Sequence, residues 1–146
     1  MRKVILLFVI LVLMSGCATL GAPTGPSKDL DEAALLAHEK KFQEAAAVYK
    51  KIQKESPQTL LAAEAVYGTA LLHASPDNPQ KDYAQAIRLF EDFLKQHPGN
   101  RREHEAREWV SLLKAIQELR KENERLKMNI EQLQQLDIRH EERRRK

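Results

Sequence analysis

Two stretches of this chain repeat one pattern at a distance of 41 residues. KFQEAAAVYKKIQKESP (41–57) and DYAQAIRLFEDFLKQHP (82–98) align without a gap, and five chemically matched pairs fall at that single offset: Phe42 with Tyr83, Ala45 with Ala86, Tyr49 with Phe90, Ile52 with Phe93, and Pro57 with Pro98. A constant offset with matched chemistry marks an internal repeat, and a repeat unit buries its apolar face only by stacking on a neighbour. The spacing within each copy is helical. The small Ala lets two helices approach closely, while the aromatic and the larger apolar residues fill the space above and below it. The Pro cannot continue a helix interior, so it sets the turn into the next segment.

The rest of the chain agrees with a helical reading. From Leu30 to Ile138 it is rich in Ala, Leu, Glu, Lys and Gln, aromatics are only 5 %, and no useful length alternates like a strand. Upstream of the second copy a further helical stretch holds Gly68, with Tyr67 and Leu71 beside it. The link HASPDNPQKD (73–82) carries two Pro and an Asn-Pro step, so Asn78 is expected to cap a helix opened by Pro79. The helix before the first copy, roughly 29–40, is degenerate against the tetratricopeptide pattern that these residues resemble: Leu36 fits, but Ala33 stands in place of Gly.

These residues resemble the tetratricopeptide (TPR) repeat. Phe42, Ala45, Tyr49 and Pro57, then Gly68, Tyr83, Ala86, Phe90 and Pro98, fall on that family's packing positions. The chain is also similar in style to TPR lipoproteins of outer-membrane assembly, the BamD type, over about 29–112. That family carries about five repeats where this chain has two and a shared helix. The resemblance implies an all-α fold of two TPR-like helical hairpins followed by a long C-terminal coiled-coil helix. It further implies a concave partner-binding face, for which Leu30, His38, Tyr67 and His73 are the candidates.

The first residues place the chain in a cell. Arg2 and Lys3 precede an apolar run from Val4 to Met14, eleven residues, too short for the roughly 20 a spanning helix needs and suited to a secretory signal. Ser15, Gly16 and Cys17 follow. This order resembles the lipobox of bacterial lipoproteins, with Met14 where the family usually has Leu. The resemblance implies cleavage after Gly16 and attachment of palmitate-type lipid to Cys17, on its sulfur and on its new amine. Ala18, rather than Asp, then points to the outer membrane. Residues 1–16 are thus a signal peptide, and 17–28, holding two Gly and two Pro, a lipidated tether. The expected location is the cell envelope, lipid-anchored and facing the periplasm. Cys17 is the only cysteine, so no disulfide framework is possible.

Past Pro98 a last helix is expected over 100–140. Asn100 is placed to cap it, with Glu103 as a capping-box partner, and Ala106, Trp109 and Leu113 are placed to pack on the second copy. Leu112, Leu119, Leu126 and Leu133 then recur every seven residues, alternating with Trp109, Ile116, Asn123 and Ile130. This is an a/d heptad series, with Leu at d, mostly Ile at a, and one polar a position. Three arrangements fit it: a parallel homodimer, a coil with another protein, or a helix that is solitary or packed back on its own body. Residues 141–146 form a basic tail, which reads as a solvated end or as a contact for anionic lipid or an acidic partner. The layout of lipobox, short helical repeats, coil and Arg-rich tail also resembles small lipoproteins that accompany envelope sensor kinases, the QseG type.

Chemistry is not expected. His38, His73, His97, His104 and His140 are scattered, and none pairs with a second ligand at metal spacing. There is no phosphate-binding Gly-rich loop and no Gly-x-Ser-x-Gly elbow. Removing Arg2 and Lys3 leaves 22 basic side chains against 21 acidic ones, a balance unlike a nucleic-acid binder. The expectation is a non-enzymatic interaction protein with no metal and no cofactor beyond the lipid on Cys17. Its partner is an unidentified envelope protein, a sensor kinase, or a second copy.

Overall fold

The structure, a computed structural model, describes residues 26–145. These residues form five helices and no strand: α1 (Pro26–His38), α2 (Phe42–Glu55), α3 (Leu60–Ala74), α4 (Tyr83–Gln96) and α5 (Glu103–Arg144). Consecutive helices pack on one another, and α1 also touches α3. The lipobox, Gly16 and Cys17 lie outside the described residues.

The repeat seen in the sequence recurs in the backbone. α2 and α4 have the same length, and both their ends are offset by the same 41 residues. Their exits match as well. Pro57 and Pro98 are each followed by a residue in the left-handed region, Gln58 at φ 62° and Gly99 at φ 75°. Gly99 adopts it freely, whereas Gln58 does so against its Cβ. In both copies the next side chain then bonds a backbone N–H ahead of it: Thr59 accepts from Ala62, and Asn100 from Arg102.

Helix α3 is apolar nearly all round because it is shared. One face joins Ala33, Ala45, Tyr49 and Ile52 of α1 and α2 through Ala65 and Leu72. The other joins Phe90 and Phe93 of α4 and Ala106 and Leu113 of α5 through Ala63, Tyr67 and Ala70. A helix covered on two sides needs no polar stripe there. Tyr67 sits edge-on to Phe90 and Phe93, with centroids 5.4 and 5.5 Å away. Gly68 lies where α3 crosses α2, and a Cβ there would meet the Tyr49 ring.

Several local expectations are corrected. Residues 26–28, assigned to the tether, form the first turn of α1, where a Pro needs no donor partner. Asn78 caps no helix. It is buried in the α3–α4 link, donates to the Leu72 carbonyl at 2.8 Å and accepts from the Gln80 N–H at 2.9 Å. The cap of α4 is Asp82, which accepts from the Gln85 N–H at 2.9 Å. Asn100 and Glu103 do not form the reciprocal box either. Asn100 turns the chain three residues before α5 begins, and Glu103 reaches back to the Gly99 N–H at 2.7 Å. α5 also continues through most of the basic tail, to Arg144.

Asn78→Ala should destabilise the fold by about 1–3 kcal/mol, because the Leu72 carbonyl and Gln80 N–H lose their partner in a buried loop. Chemical denaturation would measure it. A loss below about 0.5 kcal/mol, the size of an ordinary surface change, would show that the link does not depend on this side chain.

Candidate functional site

No group of three metal-ligating side chains occurs among the described residues. Two open grooves lie on the body. One, about 360 Å³, runs between Lys40, Phe42, Asn78 and Pro79, and the other, about 590 Å³, between Gln53, Pro57, Val66 and His97. Neither draws acid, base and nucleophile together. The surface that stands out is on α5.

This helix is held at its start and free afterwards. Ala106 and Leu113 are buried against α3 and α4, and Trp109 stacks on Phe90 with centroids 6.2 Å apart. Lys114 reaches Glu91 at 2.7 Å, and the Arg120 guanidinium lies 4.5 Å above the Tyr83 ring. Ile116 is the last seam residue packed on the core. From there α5 runs on to a total of 42 residues, roughly 63 Å at 1.5 Å per residue. It contains no Gly or Pro, and short-range pairs brace it: Glu118–Lys121 at 2.8 Å, Glu122–Arg125 at 2.6 Å and Glu124–Lys127 at 3.2 Å. Each such pair is worth only about 0.2–0.5 kcal/mol.

The heptad residues beyond the body are open to water. Leu119 is 64 % exposed, Leu126 48 %, Ile130 54 % and Leu133 66 %. Leu112, on the side of α5 away from the body, is exposed too. These side chains fall on one stripe of the helix rather than singly around it, and scattered exposed leucines alone would need no explanation. Asn123 interrupts the face at an a position, its Nδ2 donating to the Leu119 carbonyl at 3.0 Å. Met128, Leu136 and Ile138 are exposed outside the a/d series and add apolar surface towards the end.

The four residues assigned to a concave binding face do not form one surface. Tyr67 is 1 % exposed and belongs to the core between α3, α4 and α5, so no partner can reach it. Leu30 packs on the α1–α2–α3 core. His73 is half-buried, with Nδ1 inaccessible. His38 alone is exposed, at the end of α1.

One polar cluster escaped sequence reading. Glu64 on α3 is 8 % exposed and accepts from Arg102 Nε at 2.6 Å and Arg101 Nε at 3.3 Å. Arg102 also meets Glu105 at 3.1 Å and lies 4.7 Å above the Tyr67 ring. The available signal was Glu64 itself, the only Asp, Glu, Lys or Arg in LLAAEAVYGTALLHA. Burial first, and the Glu105 carboxylate next, push the Tyr67 phenol far above its ordinary range. The cluster fastens the α4–α5 turn to α3.

No helix among the described residues is long and apolar enough to cross a membrane. Comparison of the chain with models of protein families, with curated proteins and with solved structures gives no match.

Proposed function

We propose that the chain is a lipid-anchored periplasmic lipoprotein that serves as a TPR-type protein–protein interaction scaffold in the bacterial cell envelope. The observation that carries the interaction role is the open apolar face of α5 from Leu119 to Leu133. The TPR part rests on the equal registers of α2 and α4 and the close approach at Gly68. The anchor rests on the sequence around Cys17. A second reading is an accessory lipoprotein of an envelope sensor kinase acting through its coil. It is favoured by the position of the apolar face, which lies on α5 and not on the repeats.

Two measurements test this. The intact mass of the protein isolated from membranes should show loss of residues 1–16 and acyl chains on Cys17; an unmodified Cys17 overturns the anchor. Photoreactive groups at Lys121 and Gln135 in cells should give crosslinked products in the envelope fraction. Products containing a sensor kinase favour the second reading, and absence of any crosslinked product overturns the interaction role.

A further inference from the structure

The face of α5 has features that select what covers it, and they are self-complementary. We propose that it pairs with α5 of a second copy of this chain, parallel and in register, with Asn123 facing Asn123 of the other copy. This rests on the reading of α5 as an interaction helix and names its partner.

Three observations carry it. First, beyond Ile116, which packs on the body, the a and d positions are Leu119, Asn123, Leu126, Ile130 and Leu133, with Leu at every d and Ile or the single Asn at a. That distribution favours two parallel strands.

Second, Asn123 uses one of its two amide hydrogens on the Leu119 carbonyl at 3.0 Å. Its Oδ1 and the other hydrogen are a matched acceptor and donor. In a parallel, in-register pair, a meets a, and two such amides satisfy each other. In an antiparallel pair a meets d, so Asn123 would face a leucine and its amide would be buried without a partner. A different protein would have to present a polar side chain at that same layer, which a second copy does automatically.

Third, the flanking charges agree. Glu122 at g lies five residues before Lys127 at e, the spacing at which g of one strand meets e of the other. By symmetry this attraction occurs twice. The other g–e pairs along the seam are Ala115 with Arg120 and Asn129 with Gln134, so no like charges face each other. Glu122 and Lys127 now hold Arg125 and Glu124 of their own helix on exposed faces. Such pairs are weak enough to be exchanged. Parallel pairing also puts both bodies at one end of the coil, so two chains anchored through their N-termini face one membrane.

The test uses the full chain solubilised in detergent, with Leu126→Cys and mild oxidation. In register, the two d-position thiols come within disulfide reach, so a covalent dimer is expected. The unsubstituted chain, carrying Cys17 alone, and Lys121→Cys, on the outer face, should give little or none. Light scattering should give twice the chain mass. Leu126→Glu should raise the dissociation constant by ~100-fold or more, since each dimer loses two buried leucines and gains two facing carboxylates. Leu126 is exposed outside the body, so that variant should keep its helical signal.

A monomer at all concentrations overturns the proposal. So does a crosslink between Leu119→Cys and Ile130→Cys molecules without one at Leu126→Cys, which is the antiparallel pattern. If the purified chain is monomeric but the seam crosslinks to another protein in cells, the second copy is excluded and the interaction role stands. If neither occurs, both fall.

Discussion

Glu64→Ala should destabilise the fold by about 2–4 kcal/mol. Removing one partner of a fully buried ion pair typically costs about 3–5 kcal/mol, because the other charge stays behind without compensation. The value here is lower because Arg102 is 32 % exposed and keeps Glu105 at 3.1 Å. The pair itself adds little net stability, since two charges must leave water to form it. Replacing both, Glu64→Leu with Arg102→Met, should therefore recover most of the loss. Denaturation midpoints of the single and double variants decide this. A single variant within about 0.5 kcal/mol of the parent would mean the turn into α5 is held by packing alone.

The same pair has a pH signature. Burial, the largest influence, pushes the Glu64 carboxyl up, but the hydrogen bonds from Arg102 and Arg101 together outweigh it and hold the group below its ordinary 4.5. A carboxyl depressed in the folded state adds stability above its unfolded value and loses it as pH falls through the folded value. The gap between the parent and Glu64→Ala should be constant above pH 4.5 and narrow below it. A gap that widens in acid would contradict the assigned charge state.

Gly68→Leu should be the most damaging single change on α3, at about 3 kcal/mol or more. Helix propensity alone argues the other way, because replacing Gly in a helix interior gains roughly 0.5–1 kcal/mol. Packing decides the sign. A Cβ at Gly68 would lie 2.7 Å from Cε1 and from the hydroxyl oxygen of Tyr49. Tyr49 is buried in the α1–α2–α3 core, so its ring can move only by displacing packed neighbours. Overpacking costs about 1–3 kcal/mol for a few added atoms and more when the obstacle is a fixed ring. Gly68→Ala should lose about 1 kcal/mol by the same balance. In a Tyr49→Ala background the sign should reverse, and Gly68→Ala should become stabilising by up to about 1 kcal/mol. A double-mutant cycle measures that reversal; additive effects would show that the contact is not what fixes Gly68.

The offset of 41 residues was legible because repeated packing repeats its residue types, and it reappears as the equal bounds of α2 and α4. The heptads of α5 were legible because a periodic apolar series needs no knowledge of its partner. Two kinds of feature were not. Asn78 and Glu64 look like ordinary polar residues, and their burial depends on which backbone groups and side chains come to meet them, from Leu72 in one case and from Arg101 and Arg102, far along the chain, in the other. The binding face failed at Tyr67 because α4 and α5 cover that side of α3, and which side of a helix is covered is a property of the stack.

By itself, then, the sequence determined the helices, the repeated pair and the heptad stripe, all of which follow from the spacing of apolar, small and helix-ending residues along the chain. Only the tertiary structure decided which faces are left open. The body covers α5 through Leu113 and Ile116 and leaves its apolar stripe open from Leu119 onward. The same periodic stripe is therefore core at its start and free surface beyond, because burial depends on where neighbouring helices end and not on the residues that are buried.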